Sequence, residues 1–540
     1  MSADRSLRGT PAAPGRARGP LFAVPEPEPG TAVTADLGAI RSAASRAAAR
    51  LEALAARSRA SSPAAAAILE AQALMLGDPA LEAAVEELLP GRPAAEAVLG
   101  AAERYAAALE ALDDPYLRGR AADVREAGRL LLAELSGTGG GRLADLAGPA
   151  VVVAHELSPA DTLSADPALL LALVTETGGR TSHLAIVARE LGIPAVVGVE
   201  GALAAAAAAR AADVDGGSGV VRLLAGAATA GRPAAARRRL ALHRSPLPLL
   251  ANVGSARAAE LAAARGAGGV GLFRTEFLYL GEGGAPPEER QAEEYAAACR
   301  ALGARPVTIR TLDAGSDKAL PFLALPAEPN PALGRRGIRL WLAHRELWEP
   351  QVRALTRVAA EHANLRVMLP MVATGDELRE ARARFRSAAR RRGAALPSIG
   401  MMVELPATAA ALPAFAGLVD FVSLGTNDLT QYALGADREL DLGRGLDELH
   451  PGVLRLIATC LAAARELGVD AGVCGEMAGT PEGAVFLAGA GATSLSMGAG
   501  SLPGVLARLA PLGLDRCRAA ATRALAEPDS AAARRALRRA

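Results

Sequence analysis

The 540-residue chain is poor in aromatic side chains: Phe, Trp and Tyr make up 3% of it, too few for stacking platforms that would hold nucleobases. It also lacks an excess of charge of either sign. Lysine and arginine number 59 against 58 aspartates and glutamates, so electrostatics give no reason to expect a nucleic acid or a membrane surface as partner. The four cysteines, Cys299, Cys460, Cys474 and Cys517, form no CxxC pair, which argues against a structural zinc site. A disulfide framework does not suit a chain of this length, and a reducing, cytoplasmic setting is expected. No apolar run reaches the ~20 residues of a membrane-spanning helix, so no membrane insertion is expected. The opening MSADRSLRGTPAAPGRARGP has no signal-peptide core. What is abundant is alanine, which inflates the hydrophobic share and favours helix.

A chain this long needs several cores. Residues 1–30 are rich in Pro, Gly and Arg and read as extended chain with one strand. From Leu37 to Leu132 apolar residues recur at helical spacing, with breaks at Gly77–Pro79, Pro90–Pro93 and Leu112–Tyr116, which describes a helical bundle or two long hairpins. From Pro149 to about residue 226 short strand and helix signals alternate, beginning with AVVVAHEL and ending with GVVRLLAG. That is a small α/β unit. Residues 227–244 form a basic, alanine-rich connector, expected to be helical and solvated. Eight strand-like runs follow: LLANVG, GVGLFRTE, VTIRTLDAG, RVMLPMV, IGMMVE, FVSLGTND, AGVCGEM and SLSMG. Most are separated by helical stretches, which is the pattern of a (β/α)8 TIM barrel.

In such a barrel, chemistry sits at the C-terminal ends of the strands. Six of the eight runs deliver polar groups at that end: Asn252, Arg274 and Glu276, Arg310 and Asp313 with Lys318 beyond, Glu404, Asn427 and Asp428, and Cys474 with Glu476. So many polar groups on one rim are not explained by solubility. Arg274, Arg310, Arg336 and Arg438 are fork donors suited to phosphate and carboxylate oxygens. Glu404 and Asp428 are hard oxygen ligands suited to Mg²⁺. The expected ligand is small, anionic and phosphorylated. Cys474, on the rim beside arginines, is a candidate proton donor, whereas the other three cysteines are expected to be buried and inert.

Among only six histidines, one stands in GGRTSHLAIVARELG. Thr181 or Ser182 is a natural N-cap, and the helix from His183 is expected to end near Gly192. Free N–H groups and the helix dipole favour an anion there, so the imidazole of His183 is placed to accept a phosphoryl group. Gly178 and Gly179 leave room for a bulky donor. Taken alone, the segment equally suits a histidine that only packs or caps.

The ordered set of motifs resembles enzyme I of the bacterial sugar phosphotransferase system, the phosphoenolpyruvate–protein phosphotransferase family. The resemblance runs from about Ala35 to Leu525 and rests on GGRTSHLAIVARELGIPAVVG, GLFRTEFL, IRTLDAGSDK, NPALGRRGIR, MMVELPAT, DFVSLGTNDLTQYALGADR and GVCGEMAG. It implies a phosphohistidine at His183 Nε2, with Thr162 holding the other ring nitrogen. It implies phosphoenolpyruvate bound by Arg274, Arg310, Arg336, Arg438, Lys318, Asn427 and Asp428, Mg²⁺ held by Glu404 and Asp428, and a proton from Cys474 to make pyruvate. The carrier protein HPr receives the phosphoryl group, and the barrel forms a homodimer. The implied layout is an α/β multidomain chain. Residues 1–34 and 133–224 form a swivelling phosphohistidine α/β domain, and 35–132 a helical HPr-binding domain. Residues 225–243 form a linker helix, 244–525 the barrel, and 526–540 a C-terminal helix or tail.

The sequence departs from the family at Gln72, Gly77 and Ser316, where a histidine, an acidic residue and a glycine are usual. Two rivals share these motifs. An ATP-dependent pyruvate dikinase or synthase needs a further ATP-binding domain of some hundreds of residues. A degenerate regulatory protein would not keep a complete set of catalytic residues.

Overall fold

In a computed structural model the chain divides into two compact units, Met1–Pro233 and Ala234–Ala540. The structure describes residues 5–13, 15–24, 35–58, 63–111, 121–137, 143, 146–166, 169–179, 182–226, 242–279, 284–315, 320, 322–323, 325–326, 328–437 and 447–540.

The first unit joins a helical bundle to an α/β sheet. The bundle helices are Leu37–Ser58, Pro63–Leu76, Pro79–Leu88, Ala94–Glu110 and Ala121–Leu135. The break at Gly77–Pro79 works as its sequence suggests: Asp78 caps the third helix by accepting from Ala80 N–H at 2.8 Å, and Pro79 fills the first helical position. Small residues let the helices pack closely, since a Cβ on Gly128 would run into Ala102. The bundle core of Leu51, Leu69, Val98 and Val124 also takes in Ala160, Leu163 and Val187 from the α/β part. One face of the bundle is therefore closed by the helix that begins at His183.

The sheet has eight strands in the order β1-β8-β7-β3-β4-β5-β6-β2. They are β1 Arg5–Arg8, β2 Thr10–Ala13, β3 Arg16–Ala23, β4 Ala150–Ala154, β5 Leu170–Thr175, β6 Ala195–Val197, β7 Ala211–Asp215 and β8 Val220–Leu224. The middle pairs, β3–β4, β4–β5 and β5–β6, are parallel. Separate apolar clusters cover the two faces, around Val152 and Leu173 on one and Val151 and Val174 on the other. Residues 5–23 form three strands where the sequence suggests one. Short β1 and β2 close the two edges of the sheet; β1 carries Arg5 and Arg8, and β2, as an edge strand, accommodates Pro11.

The second unit is a closed parallel barrel of eight strands in the order β10-β11-β12-β13-β14-β15-β16-β9. These are β9 Leu249–Val253, β10 Val270–Phe273, β11 Val307–Arg310, β12 Leu365–Leu369, β13 Ser398–Val403, β14 Phe421–Leu424, β15 Asp470–Val473 and β16 Ser494–Gly498. Five fall within their expected runs and three, β12, β13 and β15, begin one residue earlier, because strands buried on both faces are continuous apolar stretches. The helix Ser530–Arg538 is no loose tail: Ala533 and Leu537 are fully buried in the barrel's core cluster. Of the connector 225–243, residues 227–241 lie outside the described residues, and Leu242–Arg244 is a single 3₁₀ turn. Among the described residues no helix is long and apolar enough to cross a membrane.

Candidate active site

Because all eight barrel strands run parallel, their C-terminal ends share one rim, and each places its last side chains there. Arg310 ends β11 and is buried. Its guanidinium donates to Glu276 Oε1 at 3.0 Å and lies 3.0 Å from Asp313 Oδ2. Burial works against its charge, but Glu276, Asp313 and Glu404 overcome that effect and hold it protonated. Arg336, 1% exposed, precedes the helix Ile338–Ala343 and donates to Asp313 Oδ2 at 3.1 Å and Asp428 Oδ2 at 3.5 Å. Asp313, fully buried, thus bridges two arginines.

Glu404 follows β13 and is 1% exposed. Burial pushes its carboxyl well above the usual range, and the neighbouring Asp428 and Asp313 push it further. Its Oε1 accepts from Met371 N–H at 2.6 Å. Met371 itself has φ of 55°, a conformation that side chains disfavour. Asp428 lies in the first turn of the helix Thr426–Leu434, after β14. The inner rim therefore sets four acidic side chains (Glu276, Asp313, Glu404, Asp428), with Glu404 pushed towards its neutral form, beside two buried guanidiniums (Arg310, Arg336). Among the described residues no group of three or more His, Cys, Asp or Glu side chains forms a ready metal cluster. The neighbouring carboxyl groups of Glu404 and Asp428 nonetheless fit a divalent cation with oxygen preference, whose charge would favour the ionised form of Glu404.

Cys474 directly follows β15 and is 3% exposed. Its Sγ points at Leu424 O, 3.7 Å away, and it packs with Leu272, Met368, Met402 and Phe421. Burial pushes the thiol up to about 11, with Ser423 and Arg310 pulling the other way, so it remains a protonated thiol. The backbone around it is fixed: Asn252 Nδ2 donates to Cys474 O at 2.9 Å, while Asn427 Oδ1 accepts from Glu476 N–H at 2.7 Å. Arg274, just after β10, is exposed and lies close enough to favour the thiolate of Cys474. Lys318 and Arg438 lie outside the described residues. Cys299, Cys460 and Cys517 are buried, as their scattered positions suggest.

His183 belongs to the first unit and opens the helix His183–Leu191, which ends at Gly192 with φ of 64°. Ser182 is the N-cap, its Oγ accepting from Ala185 N–H at 3.3 Å. Gly178 takes φ of 99°, and Gly179 has open space where a Cβ would stand. Thr181 lies outside the described residues. The ring is 38% exposed, and its Nδ1 faces Asp123 Oδ1 of the helical bundle at 3.5 Å. Thr162, fully buried, donates its hydroxyl to Ser158 O at 3.1 Å, the usual bond of a threonine back along its own helix.

Sequence reasoning therefore missed Asp123 and Met371. Asp123 left a trace, standing on the apolar face shared with Val124, Ala127 and Leu130. An unexplained carboxylate on a buried face signals a partner from elsewhere. Met371 left none, since its role is a backbone conformation.

Three family profiles match the chain in order: "PEP-utilising enzyme, N-terminal" over residues 8–120, "PEP-utilising enzyme, mobile domain" over 146–219, and "PEP-utilising enzyme, PEP-binding domain" over 236–513. A multiphosphoryl transfer protein of Rhodobacter capsulatus is 40% identical over 484 residues, covering 86% of this chain and 58% of that protein. A phosphoenolpyruvate-protein phosphotransferase of Streptomyces coelicolor is 42% identical over 484 residues, covering 87% of this chain and 86% of that protein. The chain thus spans well under two thirds of the first relative and most of the second. An NMR solution structure of an Enzyme I protein is 32% identical with a TM-score of 0.32, covering 40% of this chain and 91% of that one.

Proposed function

The chain belongs to the phosphoenolpyruvate–protein phosphotransferase family of phosphoenolpyruvate-utilising enzymes, and from that premise we propose that it moves a phosphoryl group from phosphoenolpyruvate to His183 and then to a histidine of the carrier protein HPr. In the first step the P–O bond of the enol phosphate breaks and a bond from phosphorus to His183 Nε2 forms. The enolate left behind takes a proton on carbon and becomes pyruvate. The observation that carries this reading is Cys474: a thiol kept protonated by burial, within the electrostatic reach of Arg310 and Arg274. A proton donor beside anion-binding arginines is what an enolate product demands.

The other residues fit around that step. Arg310 and Arg336 are held charged and aimed, so little reorganisation is needed when phosphate and carboxylate arrive. Arg274, Arg438, Lys318 and Asn427 complete the substrate's contacts. Glu404 and Asp428 would hold Mg²⁺, which when bound offsets negative charge on the phosphoryl group in flight. Asp123 faces Nδ1 and so leaves Nε2 as the accepting nitrogen. Gly178 and Gly179 clear the approach to the ring, and the helix N-terminus capped by Ser182 receives the new charge. Thr162 supports the turn of SPADT before the histidine loop.

His183 stands in one unit and the rim in the other, so the phosphohistidine domain must swivel to the barrel and away again, about the connector 225–243. The helical domain 35–132 receives HPr, and two barrels pair in a homodimer. The reaction is cytoplasmic. The likeness to multiphosphoryl transfer proteins is compatible with the same chemistry in a longer relay.

The test uses the full chain with Mg²⁺ and radiolabelled phosphoenolpyruvate. The wild type is expected to take up acid-labile label and pass it to HPr, and His183→Ala to take up none. Labelling of His183→Ala equal to wild type would refute the assignment.

A further inference from the structure

We propose that Gln351 is a positioning residue that holds three arginine-bearing segments of the rim in one arrangement. This rests on the function proposed above, which assigns those arginines to phosphoenolpyruvate. Gln351 is fully buried in the helix Arg345–Glu361 of the barrel wall. Its Oε1 accepts from Trp341 Nε1–H at 2.9 Å and from Leu312 N–H at 3.1 Å. Its Nε2 donates to Tyr295 OH at 3.3 Å and to Thr275 Oγ1 at 3.4 Å. A primary amide has two acceptor sites and two donors, and all are used. The amide's orientation is also fixed, because both groups facing Oε1 are N–H donors that accept nothing.

The partners reveal the role. Thr275 lies between Arg274 and Glu276, and Leu312 between Arg310 and Asp313. Trp341 belongs to the helix Ile338–Ala343 that opens just after Arg336. Thr275 Oγ1 in turn donates to the Arg310 carbonyl at 3.0 Å. One side chain thus ties together the backbones that carry Arg274, Arg310 and Arg336. The tie is anchored from behind: Tyr295 OH donates to Gln291 Oε1 at 3.0 Å, and Gln291 Nε2 donates to Pro286 O at 2.8 Å. A leucine would fill this space without any polar group to satisfy. A fully satisfied amide instead specifies one relative placement of its neighbours.

The experiment compares Gln351→Met with Leu355→Ala in the full chain. The methionine keeps roughly the volume and removes all four hydrogen bonds. Leu355 is fully buried on the same helix, so its truncation destabilises that helix without touching the tie. For Gln351→Met, kcat/KM for phosphoryl transfer from phosphoenolpyruvate to His183 is expected to fall about ten- to a hundredfold, as small misplacements of binding groups do. Return of the phosphoryl group from phosphorylated HPr to His183, which does not use the rim, should stay within about twofold of wild type. Leu355→Ala should lower the unfolding midpoint at least as much and leave kcat/KM for phosphoenolpyruvate within about twofold. Wild-type kcat/KM in Gln351→Met, or an equal loss in Leu355→Ala, overturns the inference. A wild type that takes no phosphoryl group from phosphoenolpyruvate is a different pattern, and it overturns the proposed function together with this inference.

Discussion

Replacing Asp313 by asparagine tests whether the rim arginines are held by the carboxylate between them. Asp313 is fully buried, 3.0 Å from the Arg310 guanidinium and 3.1 Å from that of Arg336. Asparagine keeps the shape and removes the charge. Losing one partner of a buried ion pair costs about 3–5 kcal/mol, because the other charge stays buried. Here each arginine retains a second carboxylate, Glu276 at 3.0 Å for Arg310 and Asp428 at 3.5 Å for Arg336. Glu404 is also relieved of a like-charged neighbour. Both effects lower the cost to the bottom of that range or below it, so the expected loss is about 2–3 kcal/mol. Guanidinium chloride unfolding followed by tryptophan fluorescence isolates it, since the chain's two tryptophans, Trp341 and Trp348, both belong to the barrel unit. A lower midpoint with an unchanged slope is expected, together with a lower kcat/KM for phosphoenolpyruvate. A loss below about 1 kcal/mol would mean that Asp313 carries no more weight than a surface ion pair, and the account of a charge-locked rim would fail.

Glu448 provides a pH-dependent test. Burial, then Glu476, raises its carboxyl from 4.5 to about 7. Between those values the folded chain holds a proton that the unfolded chain has lost. Its contribution is therefore full below pH ~4.5 and disappears as pH rises through ~7, a decline of at most about 3 kcal/mol. Thermal unfolding from pH 5 to 8 should show that decline in the wild type and a flatter profile in Glu448→Gln; parallel profiles would contradict it. For Cys474→Ala, pyruvate formation measured with lactate dehydrogenase should fall about 10²- to 10⁴-fold, with KM for phosphoenolpyruvate little changed. Pyruvate release at the wild-type rate would remove Cys474 from the proton-donor role.

The barrel was readable because its strands are short apolar runs that end in polar residues, and both signals are local. The helix at His183 was readable for the same reason, with Ser182 before it and Gly192 after it. The unread parts depend on tertiary partners. Strands β1 and β2 lie at sheet edges and are only four residues each, and Pro11 weakens strand propensity in β2 without preventing pairing. Asp123 gains meaning only when the bundle packs on the histidine helix, and Gln351 only when two loops and the helix of Trp341 converge on it. Thr162, which the family resemblance offers to the histidine ring, donates its hydroxyl here to Ser158 O one helical turn back.

The rim's charges constrain how substrate enters. On the proposed function, phosphoenolpyruvate brings a phosphate and a carboxylate, and each would meet a guanidinium that already has carboxylate partners. Entry would then exchange internal ion pairs for substrate contacts. It would also leave Glu276, Asp313 and Asp428 facing added negative charge. Water cannot screen this where Asp313 and Glu404 are almost wholly buried. On the proposed function, the divalent cation balances both the carboxylates and the incoming phosphate, so substrate and cation each make a better site for the other. An anion of the same size without phosphate oxygens to share the cation would meet the same repulsion with no compensation. On the proposed function, selectivity for a phosphorylated carboxylate thus follows from buried carboxyl groups that a shared cation offsets, as much as from the arginines that bind it.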